Sequence, residues 1–382
     1  MQIDFPGRKP LESSVFVSAK YSAPTTPPGF PVISATPGTS FTNPIGYYRR
    51  PIKIDNTQNS NTLSDYQVLV TLDTASLISA GKMRSDCGDI RFTDSDGATL
   101  LDYWIASGIN TSNTEIWVKI PSIPGSSVKT IYLYYGNPSA TSMSNGTRVF
   151  NFFEDFTEYA VGSELAGQNG WYGYSYSSAT RTIIAGDKVT LPDGTVFSII
   201  PPTNQALHIN SSQYWGGAYR SFSFPFPGNG YAVRSRVYLA GHSNVEVEGF
   251  RIGFGISTAT DGGGDSSNMP DGYFFEHGMV SDSILSSIRV CQSLNCRTLN
   301  YLLGIGYLGL WSECEERWYG STLESWCDGK TISVTDTTYS SANYLYIGVY
   351  SSNCAWIIDW ICIRKYNPPE PTTSVGPEQT YY

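Results

Sequence analysis

From Tyr47 onward the chain exchanges apolar and polar residues at every second position, in short runs separated by turn residues. The period is plain in Arg50-Pro51-Ile52-Lys53-Ile54-Asp55, in Tyr66-Gln67-Val68-Leu69-Val70-Thr71-Leu72, in Thr114-Glu115-Ile116-Trp117-Val118-Lys119-Ile120 and in Thr130-Ile131-Tyr132-Leu133-Tyr134-Tyr135. Successive side chains of a strand point to opposite faces, so a period of two marks a sheet with one buried face. Only Thr74 to Lys82 offers a helical stretch in this region. Strand-like runs continue at Tyr231–Leu239 and Phe250–Ile256, with glycine-rich turns between. The expected fold class is all-β, with tandem antiparallel β-sandwich or jelly-roll domains behind an N-terminal extended arm.

The arm is residues 1–46, which hold eight prolines and so exclude regular helix and sheet interior. Within it, Ser13 to Tyr21 is free of proline and rich in β-formers. Val15, Phe16 and Val17 are its candidate docking strand, able to add to the sheet edge of another subunit; a linker is the alternative. A β-sandwich over 47–150, a second region over 151–367 and a C-terminal tail over 368–382 complete the expected division. The second region is large for one sandwich, so one jelly roll and two interleaved ones both remain open.

Charge narrows the partners. With 24 Lys+Arg against 33 Asp+Glu the net charge is −9, and no basic run exists to follow a phosphate backbone, so nucleic acid is not expected. Only 15% of residues are charged, a composition suited to an extracellular surface built from neutral polar groups and to an acidic medium. No apolar run approaches the length of a membrane span, and no membrane insertion is expected. The first ten residues carry Asp4, Pro6 and Pro10 rather than a basic start and an apolar run. Either a leader has been removed or the protein reaches the outside by another route.

Of seven cysteines, Cys291, Cys296, Cys314, Cys327, Cys354 and Cys362 fall in the last quarter of the chain. Three disulfides are the economical reading, with a pairing that spacing cannot rank. Zinc competes, but there is no C-x-x-C pair and His277 is the only histidine nearby. Cys87 is left over as a buried free thiol.

A series of short blocks then becomes informative: Tyr48-Arg49-Arg50-Pro51-Ile52, Asp65-Tyr66-Gln67-Val68, Asp89-Ile90-Arg91-Phe92, Asp96-Gly97, Tyr103-Trp104-Ile105, Trp117-Val118-Lys119-Ile120-Pro121, Tyr132 to Asn137 and Phe150 to Phe156. Over residues 47–156 the chain resembles a β-sandwich family of archaeal and bacterial surface proteins whose function is undetermined. The resemblance implies architecture and location rather than activity. It also implies a following concanavalin A-like jelly roll, opened here by Phe153-Glu154-Asp155-Phe156 and closed by Trp356 to Tyr366.

Catalysis finds no support in the residues, and no enzyme is expected. Glu246 and Glu248 share a strand face but lack the third acid of a glucanase motif. His208, His242 and His277 are scattered, and no nucleophile elbow or phosphate loop is present. No cofactor is required, although Asp261, Asp265 and Asp271 form a candidate calcium loop. Asp94-Ser95-Asp96-Gly97 looks like the start of another, yet a hairpin turn explains it. Trp171, Tyr172 and Tyr174, with Tyr214, Trp215 and Tyr219, lie among Gly, Ser and Asn in stretches that read as loops. They are the candidate receptor- or ligand-binding aromatics, the alternative being that they cap the core. Sequons stand at Asn110, Asn145 and Asn210.

The expectation from sequence is a non-enzymatic virion structural protein. It would be a spike or turret subunit on the virion surface of an archaeal virus, homo-oligomeric and held by its arm to other subunits. A similarity to the turret proteins of icosahedral viruses of thermoacidophilic archaea, on architecture, points the same way. The alternative is an archaeal cell-surface adhesin or extracellular filament subunit binding a host surface glycan or protein.

Overall fold

A computed structural model describes residues 46–175, 179–190, 196–199, 205–211, 215–224, 230–241, 247–258, 270–280, 283–293, 295–303, 310–350 and 354–381. The docking strand Val15 to Val17 lies outside these residues, as do Tyr214, His242, Glu246, Asp261 and Asp265. Described elements are almost all strands, and none of the described helices is long and apolar enough to cross a membrane.

The first sandwich begins with β1 (Tyr48–Asp55), β2 (Leu63–Leu72) and helix α1 (Thr74–Ser79). Strands β3 (Arg91–Thr93), β4 (Leu100–Leu101) and β5 (Tyr103–Ser107) follow, then β6 (Thr114–Ile123), β7 (Val128–Tyr135) and the short helix α2 (Gly146–Val149). One sheet runs β1-β7-β3-β4 and the other β2-β6-β5. Their alternating apolar positions meet as one core, in which Ile52, Ile54, Ile131 and Leu133 pack with Val68, Val70, Ile116 and Val118. Asp94–Gly97 forms the β3–β4 turn: Asp94 N donates to Thr99 O (2.8 Å), and Gly97 takes the left-handed φ of +71° the turn needs. Both carboxylates are engaged, Asp96 by the amides of Ala98 and Thr99, and Asp94 by Lys129 at 2.6 Å.

The second sandwich opens with β8 (Phe152–Glu154), β9 (Trp171–Ser175) and β10 (Ala179–Ile184). A small hairpin of β11 (Asp187–Thr190) and β12 (Val196–Ile199) precedes β13 (Ala206–Ser211), β14 (Trp215–Phe224), β15 (Gly230–Gly241) and β16 (Val247–Gly255). Next come β17 (Gly272–Val280), β18 (Ser283–Gln292), β19 (Asn295–Leu303) and β20 (Trp311–Tyr319). Strands β21 (Thr322–Cys327), β22 (Lys330–Thr335), β23 (Ala342–Tyr350) and β24 (Cys354–Tyr366) complete it. An eight-stranded sheet, β10-β13-β24-β15-β20-β21-β22 with β8 on β24, faces a seven-stranded sheet ordered β19-β18-β17-β16-β23-β14-β9. Phe250, Ile252 and Phe254 of one meet Val233, Trp318 and Ile361 of the other in a single core.

The chain does not end as a tail. After β24, strands β25 (Thr372–Val375) and β26 (Gln379–Thr380) return to pair with β1, Ile52 opposite Val375 and Tyr48 opposite Thr380. The sequence Thr-Thr-Ser-Val is too short and too polar to announce a strand, and β1 supplies the edge that makes it one. Thr373 Oγ1 donates to Leu69 O (2.6 Å), and Glu378 accepts from Tyr135 Oη (2.6 Å) while pairing with Lys82. Removing residues 371–382 should therefore loosen the first sandwich, since each lost hydrogen bond contributes roughly 0.5–1.5 kcal/mol. Limited proteolysis should cut within 47–150 before the second sandwich; unchanged protection there would refute this role of the C-terminal segment.

The sandwiches are joined by an aromatic cluster and a buried ionic network. Trp104 packs edge-on against Trp360 (5.1 Å between ring centroids), with Phe150, Phe153 and Trp117 around them. Beside this cluster, Glu315 binds Arg364 (2.7 and 2.9 Å) and Arg317 (2.6 Å). Arg364 reaches on to Glu370, and Arg234 spans Glu313 and, at 3.6 Å, Glu115 of the first sandwich. The Arg234 and Arg364 guanidinium groups lie over the Trp117 ring.

The cysteines depart from three expected disulfides. Cys291–Cys296 and Cys314–Cys327 are bonded, each joining directly opposed residues of neighbouring strands. Cys362 is a buried free thiol: its partners in register are Arg234 and Phe153, so no cysteine faces it. Cys354 lies on the same strand eight residues away, roughly 27 Å at strand rise, beyond bonding reach of Cys362. Cys87 is free and buried.

Candidate functional site

The aromatic runs expected in loops fall, where described, on the edge strand β9 of the seven-stranded sheet and on its neighbour β14. Trp171-Tyr172-Gly173-Tyr174-Ser175 is β9, paired with β14 so that Tyr172 faces Tyr219 and Trp171 faces Arg220. Glycine permits this, because Gly217 has the Ile347 carbonyl 2.1 Å from where a Cβ would stand. Trp215 opens β14, opposite Tyr350.

Period two then divides the aromatics between two faces. Trp171 points inward, is 0% exposed and packs against Phe152 (6.1 Å) in the core, which corrects its reading as an exposed anchor. Tyr172, Tyr174 and Tyr219 point outward. On that outer face Tyr172 stacks on Tyr219 (5.4 Å, 24° between planes) and Tyr219 on Tyr346 (5.1 Å, 21°), with Tyr344 edge-on to Tyr219. Tyr174 is buried beneath, edge-on to Tyr346, and Phe274 closes the row. Tyr172 is 54% exposed, while Tyr219 and Tyr344 are half-buried.

These rings lie flat because the strands beneath them carry glycine on the outer face. A Cβ at Gly255 would sit 2.2 Å from Tyr346 Cε2, one at Gly253 2.4 Å from the Phe274 ring and one at Gly348 2.3 Å from Tyr174 Oη. Sequence reading missed Tyr344, Tyr346 and Phe274. The signal was there, since Gly249, Gly253 and Gly255 alternate with core Phe250, Ile252 and Phe254, just as Tyr344, Tyr346 and Gly348 alternate with Leu345, Ile347 and Val349.

Next to the rings on the same face, Glu276 is held between Arg251 (Nε donating at 3.0 Å) and Arg289 (3.1 Å). Burial would push the Glu276 carboxyl up, but the two guanidinium charges outweigh it and hold it below the usual carboxylate range. Arg289 Nε is buried with no acceptor of its own. The outer face thus carries the exposed Tyr172 ring at the sheet edge and the Arg–Glu cluster three to five strands inward, groups of the kinds that stack on a ring and hydrogen-bond its hydroxyls.

On the inner side of the same edge, a cleft of about 580 Å³ lies at the junction of the sandwiches, lined among others by Trp104, Asn145, Phe153, Glu154, Glu158 and Arg220. The Arg220 guanidinium lies over Phe152 (4.5 Å) and Trp171 (5.5 Å). Glu154 accepts from Tyr159 Oη (2.8 Å) and Phe156 N (3.1 Å). Burial nonetheless pushes its carboxyl up. In the candidate calcium loop only Asp271 is described, and its carboxylate accepts from Ser293 N (2.7 Å). His208 is half-buried on β13, and loss of solvent around its ring pushes its imidazole down to about 4.

Residues 86–172 match the family model described as "Domain of unknown function (DUF2341)". No curated protein matches the chain. Among solved structures, the carbohydrate-binding module CBM66 from Bacillus subtilis is 9% identical, with 53% of this chain and 99% of that one covered and a TM-score of 0.34. A legume lectin-like domain from Entamoeba histolytica is 8% identical (52% and 91% covered, TM-score 0.35), and the T. cruzi calreticulin globular domain 12% (56% and 87%, TM-score 0.40).

Proposed function

We propose that the chain is a non-enzymatic surface-display protein whose seven-stranded sheet binds glycans, in the manner of a cell-surface adhesin or extracellular filament subunit. The observation that carries this is the Tyr172–Tyr219–Tyr346 column, exposed at its edge and flanked by the Arg251–Glu276–Arg289 cluster. Stacked tyrosines offer flat apolar area with few rotors to freeze, and the charged groups are already fixed by one another, so little ordering opposes binding. The two disulfides fit an oxidising compartment.

The full chain should retain neutral oligosaccharides on a glycan array. Tyr172→Ala should weaken the retained sugar about 2- to 12-fold, the equivalent of about 0.5–1.5 kcal/mol of stacking. Its melting temperature should stay put, because the ring is mostly outside the core. An array with no retained glycan, or full affinity in Tyr172→Ala and Tyr219→Ala, would remove the reading. Display on a cell envelope or on a virion is separated by mass spectrometry of washed envelopes of uninfected cells, where an adhesin is present and a spike is absent.

A further inference from the structure

The core of the second sandwich holds a polar group that the glycan-binding face does not use. Between its two sheets, His277 of β17 bonds Glu316 of β20 through Nε2 (2.5 Å) and Ser286 of β18 through Nδ1 (3.1 Å). Ser286 Oγ continues to Ser325 Oγ of β21 (3.3 Å). All four residues are buried, Glu316 completely, and Glu316 Oε2 has no hydrogen-bond partner. An orphaned carboxylate oxygen in an apolar interior is costly unless a cation compensates it. The Cys314–Cys327 disulfide lies beside this group, with both sulfurs and a His277 ring nitrogen within 4.8 Å of one another.

We propose that opening the Cys314–Cys327 disulfide turns this cluster into a site for a thiophilic divalent cation of the zinc class, ligated by Cys314, Cys327 and His277. A dithiol reductant supplies two electrons and two protons, giving two thiols and its own disulfide. Metal binding then displaces the two thiol protons, and the metal keeps its oxidation state. Tetrahedral bonds of roughly 2.3 Å to sulfur and 2.0–2.1 Å to nitrogen place donors about 3.5–3.8 Å apart, so the two sulfurs, about 2.05 Å apart in any disulfide, would separate by under about 2 Å on opening. Whichever ring nitrogen of His277 ligates, the other keeps Glu316 or Ser286 as the partner that fixes the ring. The donors come from both sheets, so the ion would bridge them as the disulfide, confined to β20 and β21, does not.

The test uses the full chain with Cys291 and Cys296 both changed to Ser, leaving one described disulfide to reduce. After anaerobic reduction, Co²⁺ should bind at one equivalent with the visible bands of a tetrahedral thiolate site, and Zn²⁺ should displace it. His277→Gln should weaken binding at least about tenfold, by analogy with the loss on disturbing a metal site's supporting shell, and Cys314→Ser with Cys327→Ser should abolish it. Far-UV circular dichroism confirms that each variant is folded. Absence of the cobalt spectrum in the folded, reduced chain overturns the proposal, as does equal affinity in folded His277→Gln or loss of fold on reduction.

Discussion

Glu315→Ala should cost at least about 3–5 kcal/mol of unfolding free energy at neutral pH, measured by denaturant titration. That is the range for breaking a buried ion pair by removing one partner. Glu315 is fully buried between Arg364 and Arg317, with Arg234 at 3.7 Å, so its removal leaves three guanidinium groups short of a counter-charge. The pH dependence follows in sign. Burial would push the Glu315 carboxyl up, but the charges of Arg364, Arg317 and Arg234 outweigh it and hold it well below the usual carboxylate range. A group depressed on folding contributes stability that is present above its unfolded value, about 4.3 for glutamate, and lost as pH falls through its folded value. The wild-type advantage over Glu315→Gln should therefore be full above about pH 5, shrink progressively as pH falls below about 4.3, and still be partly present well below pH 4. An advantage already gone by pH 4 would show that the network is not held as described. Arg234 also lies 3.6 Å from Glu115, so this network reaches into the first sandwich.

Trp171→Ala should lower stability by about 3–5 kcal/mol, the usual range for emptying a buried tryptophan site. Its neighbour Tyr172→Ala should stay within about 0.5 kcal/mol of wild type. One strand places them on opposite faces: Trp171 fills the core beside Phe152 and beneath the Arg220 guanidinium, while Tyr172 stands on the outer platform. Equal melting temperatures for the two variants would mean that β9 does not hold this register. As a one-residue slip exchanges the faces, the pair of measurements reports the register itself.

The period of two in segments such as Tyr66–Leu72 and Thr114–Ile120 was enough to establish an all-β chain and to assign most first-sandwich core positions, because strand geometry alone sends alternate side chains to opposite faces. Asp94–Gly97 was legible as a turn for an equally local reason, a glycine at the position that needs positive φ. The aromatics around Trp171 and Trp215 were legible as a cluster, but not as a face. Surrounding glycines look like loop residues until the neighbouring strands are in place, and only then are they seen as the clearance under flat rings.

What the sequence could not contain is anything that depends on which strands become neighbours. Cysteine pairing is one such property: Cys314 and Cys327 bond because β20 and β21 set them opposite each other, whereas Cys362 has Arg234 and Phe153 in register and stays a thiol. The return of Thr372–Val375 to β1, the meeting of Glu315 with three arginines and the placing of His277 beside two sulfurs belong to the same class. Alternation is a local property, fixed by backbone geometry over a few residues. Sheet order and register are settled by burial and hydrogen bonding across hundreds of residues, so the sequence by itself determined that this protein is built of half-buried strands, and the tertiary structure alone decided which of their side chains meet.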